Sequence, residues 1–161
     1  DYLLLTAQGY QESKLNQETK SPVGAIGVMQ LMPDTGKAME VGDVRQTEAN
    51  VHAGAKYMDH LIEVYFPDAE LDEENRTLFA FAAYNAGPNR IAKLRKLAAE
   101  QGYDPNKWFN NVERIVAQKV GQEPVTYVRN IYKYYISYKL ALDAEERARE
   151  AAGQVTTAVP E

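Results

Sequence analysis

The chain has 161 residues, 45% of them hydrophobic and 25% charged, with a formal net charge of −5, no cysteine and two histidines. A single domain of this size buries roughly 70% of the surface its unfolded chain exposes, so it folds without disulfide or metal staples. The acidity speaks against a nucleic-acid backbone as partner, His52 and His60 are too few for a metal's ligand set, and no apolar run approaches the roughly 18 residues that span a bilayer.

The apolar periodicity is helical along the whole chain. Leu4, Leu5, Gln8, Glu12 and Leu15 suit a first helix of about four turns. Asn16, Ser21, Pro22, Gly24 and Gly27 break it, and Pro33 starts a short helix that runs to about Met39, with Gly42 as its stop. Asn50 is placed to cap the next helix, whose inner face is Val51, Ala55, Met58, Leu61, Ile62 and Tyr65 and which Pro67 ends. Asp72 caps a fourth helix burying Leu78, Phe79, Ala82 and Ala83; Gly87 closes it and Pro88 opens a fifth over Ile91, Leu94 and Leu97. Asp104-Pro105 has the form of a cap and first-turn proline for a sixth helix with Trp108, Val112, Ile115 and Val116 inside. Pro124 begins the last, striped by Val128, Ile131, Tyr135 and Leu142. The expectation is an all-α domain over residues 1–143, followed by a charged helical extension over 144–161 whose tail is disordered from Gly153. The chain opens directly into Tyr2-Leu3-Leu4-Leu5 with no signal peptide visible, which reads as one domain of a longer protein.

Three segments carry chemistry. Glu12 falls in the last turn of the first helix, where the negative end of the helix dipole and partial burial both raise a carboxyl pKa and favour an acid. The ordinary fate of a helical glutamate is a solvated surface position, and its place beside Leu5, Gln8 and Leu15 argues only partly against that. Nine residues on, Ser21 opens a glycine-bent run to Pro33 and places a hydroxyl within reach of Glu12. Ala82-Ala83-Tyr84-Asn85-Ala86-Gly87 ends a helix with small residues around a ring and an amide; a left-handed C-cap explains Gly87 but not Tyr84. Tyr127, Tyr132, Tyr134, Tyr135 and Tyr138 crowd one helix, mostly as core, with room for one or two to face a groove and stack on a sugar.

The runs Gln11-Glu12-Ser13, Ser21-Pro22-Val23-Gly24-Ala25 with Gly27-Val28-Met29-Gln30-Leu31-Met32-Pro33, Ala83-Tyr84-Asn85-Ala86-Gly87, and Tyr127-Val128-Arg129-Asn130-Ile131 stand in a fixed order. In them, and over roughly Tyr2 to Leu142, the chain resembles the lytic transglycosylases of the soluble type, most closely the membrane-bound lytic transglycosylase F group. That resemblance implies a goose-type-lysozyme-like all-α fold. It implies cleavage of the β-1,4 bond between N-acetylmuramic acid and N-acetylglucosamine of peptidoglycan without water, leaving 1,6-anhydromuramic ends. By motif position Glu12 matches the single acid/base and Ser21 the hydroxyl that assists it. Gln30 and Met32 match groove-lining residues, Tyr84 and Asn85 the pair beside the scissile bond, and Glu123 and Tyr127 the substrate-contacting and site-closing positions. No metal and no organic cofactor are implied. The partner is the peptidoglycan glycan strand, on the periplasmic side of the envelope, with an upstream regulatory domain and an outer-membrane anchor in the full-length protein.

Two rival functions share the pattern. A lysozyme-type muramidase needs a second carboxylate to hold a water; Asp34 and Glu40 are nearest the motif in sequence and are expected to face solvent. A non-catalytic peptidoglycan-binding module should have lost the acid, whereas Glu12 is present.

Overall fold

The computed structural model describes residues 1–157. Among them the helical periodicity produces α1 (Tyr2–Ser13), α2 (Pro33–Ala38), α3 (Thr47–Tyr65), α4 (Glu73–Ala86), α5 (Pro88–Glu100), α6 (Glu113–Lys119) and α7 (Gln122–Thr157). No strand occurs among the described residues, only isolated antiparallel bridges from Ile26 to Lys20 and to Leu31. The all-α expectation is met.

Helix α4 is the axis of the main core. Leu78, Phe79, Ala80, Phe81, Ala82 and Ala83 are buried in succession, so it is enclosed on every side, by α3, α5 and α7. Phe79 stacks on Phe66 and meets Trp108 edge-on, with ring centroids 5.7 Å apart in both pairs. Asp72 caps α4 as expected, its carboxylate accepting the Asn75 N–H at 2.7 Å. A smaller second cluster joins Val28, Met29, Leu31, Val44 and Ala53, packing the 16–46 segment onto α3. Gly54 permits this: a Cβ there would lie 2.6 Å from Met29 Cγ.

Four boundary expectations are corrected. Helix α1 stops at Ser13, because Lys14 and Leu15 both take positive φ (57° and 62°), and Leu15 is left exposed instead of extending the apolar stripe. Asn50 is not a cap: α3 begins at Thr47, and the Asn50 amide is taken up by the preceding loop. Pro124 sits inside the first turn of α7, which begins at Gln122; a proline's missing N–H is harmless there. Asp104-Pro105 does not open a regular helix. The turn Trp108–Val112 is broken at Phe109 and Asn110, and the Trp108 N–H is instead accepted by the Asn75 side chain at 2.8 Å. The apolar positions Trp108, Val112, Ile115 and Val116 are all buried nonetheless.

Helix α7 is about 54 Å long at 1.5 Å per residue, and residues 143–152 of it are exposed. Its trace runs through Thr157; the last part of the tail expected to be disordered, residues 158–161, lies outside the described residues.

Candidate active site

Helix α1 delivers a carboxylate to the mouth of a pocket. The left-handed Lys14 caps the helix, its N–H reaching the carbonyls of Gly9 and Tyr10, and the chain turns away just after Glu12. Helix α7 packs along α1 and brings up Tyr127, whose hydroxyl donates to Glu12 Oε1 at 2.5 Å. Gln8, one turn before Glu12 on the same face, donates from Nε2 to the Tyr127 oxygen at 3.3 Å. An open pocket of about 450 Å³ lies against this group, lined by Gln11, Glu12, Asn85, Gln122, Glu123, Thr126 and Tyr127. A hollow of about 500 Å³ between α1, α4 and α7 is of similar size, but its carboxylates, Asp1, Glu73 and Glu74, are solvent-exposed.

Burial pushes the Glu12 carboxyl up from 4.5 to about 7, against the opposing pull of the Tyr127 hydrogen bond. Glu12 is thus a group that changes charge near neutrality. Tyr127 is held well above its ordinary value, first by burial and then by the charge on Glu12. The same two causes act on Tyr84, which places its ring within the field of Glu12. The Tyr84 hydroxyl donates to the Met29 carbonyl at 2.7 Å, and its ring lies 5.2 Å from that of Tyr57.

The sequence-derived site residues divide into two sets. Glu12, Asn85, Glu123 and Tyr127 line one pocket, with Tyr84 behind them bridging α4 to the 16–46 segment. Ser21, Gln30 and Met32 do not line it. The Ser21 oxygen accepts the Ala25 N–H at 2.9 Å, and no hydrogen bond joins it to Glu12. The Gln30 amide donates to the carbonyls of Thr19 (3.0 Å) and Gly27 (2.9 Å), holding the turn in which Gln30 has a positive φ. Met32 leads into α2 and is 43% exposed. Asp34 and Glu40 face solvent, as expected. The second carboxylate at the pocket is Glu123, on its exposed rim.

Four polar residues were not anticipated as parts of the site's frame. Asn50 is fully buried; its Oδ1 accepts the Met29 N–H at 2.8 Å while Nδ2 donates to the carbonyls of Ile26 and Val44, both at 2.9 Å. Gln17 accepts the Val28 N–H and donates to the carbonyls of Val44 and Arg45, each at 3.1 Å. Ser13 donates to the Val28 carbonyl at 2.9 Å. Gly27 (φ 79°) threads between the first two: a Cβ there would sit 2.5 Å from Asn50 Nδ2 and 2.6 Å from the Gln17 amide. The fourth, Gln8, had a usable signal in its amide standing on an apolar face four residues before Glu12.

Comparison with known proteins bears out the resemblance drawn from the motifs. The family model described as the transglycosylase SLT domain matches residues 1–107, well over half of the chain. A membrane-bound lytic murein transglycosylase F of Pseudomonas fluorescens is 37% identical over 148 residues, covering 84% of this chain and 30% of its own length. One of Idiomarina loihiensis is 35% identical over 160 residues, covering 91% of this chain and 34% of its own. The chain thus spans about a third of the length of these curated relatives. The crystal structure of the 70 kDa soluble lytic transglycosylase of Escherichia coli superposes with a TM-score of 0.67 at 26% identity, over 88% of this chain and 22% of that one. An inactive mutant of the Pseudomonas aeruginosa lytic transglycosylase Slt, a glutamate replaced by glutamine, superposes at 0.61 with 25% identity, over 89% of this chain and 22% of that one. The helical architecture is the lysozyme-like one of these enzymes.

Proposed function

This chain belongs to the transglycosylase SLT domain family, and from that premise we propose that it is a lytic transglycosylase that cuts the glycan strands of peptidoglycan with Glu12 as its only acid and base. The observation that carries this is the half-buried Glu12 carboxyl, raised to about 7 and hydrogen-bonded to Tyr127 at the wall of an open pocket. A general acid works best with a pKa near the working pH, and one that titrates there can also take a proton back.

The proton on Glu12 goes to the oxygen that links muramic acid C1 to the next sugar, and the C1–O bond breaks. Positive charge developing at C1 is stabilised by the sugar's own 2-acetamido group. The carboxylate then takes the proton of the C6 hydroxyl as that oxygen bonds to C1, so Glu12 is protonated again and no water is consumed. The product is a 1,6-anhydromuramic end. An internal hydroxyl held against C1 acts at an effective concentration on the order of 10⁵ M or more in favourable cases, which is why it outruns solvent.

The other residues take supporting roles. Tyr84 and Asn85 flank the bond to be cut, and Glu123 with Tyr127 closes the opposite side, in keeping with the pocket that Asn85, Glu123 and Tyr127 share. Gln30 and Met32 shape the groove beyond it, and Ser21, whose oxygen accepts from Ala25, keeps its proton for the substrate. The relatives named membrane-bound suggest a place in the cell envelope, on the periplasmic side and outer-membrane associated in a longer protein with an upstream regulatory domain. No helix among the described residues is long and apolar enough to cross a membrane.

Glu123 on the same pocket supports a second reading, a muramidase in which that carboxylate holds the attacking water. Digestion of purified sacculi followed by mass spectrometry separates the two. The lyase releases muropeptides one water lighter than a hydrolase does. Glu12→Gln, folded as judged by circular dichroism, is expected to lose on the order of 1,000-fold or more in rate. Wild-type turnover by that variant removes Glu12 from the mechanism, and reducing ends make the enzyme a hydrolase.

A further inference from the structure

Gln8 is fully buried, and its amide makes one hydrogen bond, from Nε2 to the Tyr127 oxygen at 3.3 Å. Its Oε1 is buried without a partner. Tyr127 has a single proton, and that proton is donated to Glu12 Oε1 at 2.5 Å. These contacts form a chain with one direction, from amide to phenol to carboxyl. A side chain with no role beyond filling space would be apolar at this position, because a stranded amide carbonyl is costly.

We propose that Gln8 is a positioning residue: it fixes the direction of the Tyr127–Glu12 hydrogen bond and so leaves Glu12 Oε2 to carry the proton that reaches the substrate. The proposal rests on Glu12 being the acid.

The chemistry of the amide explains why the direction holds. Nε2 can only donate, so while it faces Tyr127 the phenol oxygen must accept, and the phenol proton is free to point at Glu12. Turning the amide over would offer Oε1 to the phenol and draw its proton away from Glu12. It would also leave both amide N–H groups unpaired, where the present orientation leaves one N–H and the carbonyl. The two orientations leave equal numbers of amide groups unpaired, and the observed one is the better because it keeps the phenol proton on the carboxylate, the stronger acceptor. A phenol that accepts one hydrogen bond donates the next more strongly, and the Gln8 contact does pull the Tyr127 hydroxyl down against its other influences. With Oε1 always occupied by Tyr127, the acid proton is confined to the other oxygen through both halves of the reaction.

Other titratable groups stand around the same carboxyl. Tyr127 comes from α7, Tyr84 from α4 and, behind it, Tyr57 from α3, while Glu123 shares the pocket from the first turn of α7. Asp59 and Glu73 line the hollow that Gln8 borders on its other side. None of these is altered by changing Gln8 to methionine, which keeps length and apolar bulk but cannot donate.

The test is a titration of Glu12 itself, read by NMR of protein labelled with ¹³C at the glutamate carboxyls and assigned with Glu12→Gln. In Gln8→Met the midpoint is expected to rise by about half a unit to one unit, because the phenol becomes a weaker donor. The alkaline limb of kcat/KM on glycan strands should move with it. In a Tyr127→Phe background, Gln8→Met should produce no further shift. An unmoved midpoint in a folded Gln8→Met, or an equal shift with Phe at 127, overturns the proposal. Should Gln8→Met fail to fold, Tyr127→Phe alone decides, since a midpoint unmoved there removes the contact through which Gln8 acts. Failure of the acid assignment is seen separately, as activity surviving in Glu12→Gln.

Discussion

The core around α4 and the lobe formed by residues 16–46 are held together by opposite means. Phe66, Phe79, Phe81 and Trp108 fill the first with apolar bulk, and each large side chain taken from water is worth about 1.5–3 kcal/mol. The lobe has only five buried apolar residues, Ala25, Val28, Met29, Leu31 and Val44. Its loops keep their shape because Gln17, Gln30, Asn50 and Ser13 hydrogen-bond backbone groups that no helix or sheet satisfies. An apolar core tolerates rearrangement as long as volume is kept, whereas a set of directed hydrogen bonds permits one geometry. The candidate site lies at the seam. Glu12 and Tyr127 come from helices of the main fold, and Tyr84 reaches across from α4 to the Met29 carbonyl of the lobe.

The contrast can be broken by substitution. Phe79→Ala is expected to cost about 3–5 kcal/mol in chemical denaturation, the largest loss, because it empties the centre of the α4 core. A loss under 1 kcal/mol would mean the core is not where stability resides. At the seam the effect depends on pH. Glu12 ionises at 4.5 when unfolded but near 7 when folded, so stability is fully present below 4.5 and falls as pH rises to 7, by at most about 3 kcal/mol. Glu12→Gln removes that penalty: the variant should match wild type at pH 4 and exceed it at pH 8, as thermal melts at the two values would reveal.

In the lobe, Asn50→Ala strands the Met29 N–H and takes one of two donors from each of the carbonyls of Ile26 and Val44, which keep the Leu31 N–H and the Gln17 amide, and is expected to cost about 2–3 kcal/mol. It should also lower the rate of glycan cleavage, since the Met29 carbonyl anchors Tyr84. Unchanged hydrogen exchange over residues 26–31 in this variant would show that the amide does not hold the loop. The smallest effect is that of Tyr84→Phe, about 1 kcal/mol in the same melts, because it deletes one hydrogen bond between lobe and core and keeps the ring.

These two regions were not equally legible. The helices of the main core follow from spacing alone: Leu78, Phe79, Ala82 and Ala83 recur at helical intervals, with Asp72 to start the run and Gly87 to end it. The lobe has no period, so Asn50 looked like a cap, since asparagine before an apolar run usually is one. Only the folded loop reveals that its amide is engaged by Met29, Ile26 and Val44. Asp104-Pro105 misled for a related reason. The Asn75 side chain, 33 residues away, takes the Trp108 N–H, and nothing local announces it.

Residue order by itself determined the all-α class, the motif order that marks the family, and Glu12 as the residue to watch, because periodicity and motif spacing are local properties of a chain. The partner of Glu12 was decided by the tertiary structure. Tyr127 is 115 positions away in the chain, and a hydrogen bond across that distance leaves no trace in the residues beside either end. The same holds for the raised carboxyl, which follows from burial between helices, and for Gln8, whose amide acquires a direction only once α7 has packed against α1.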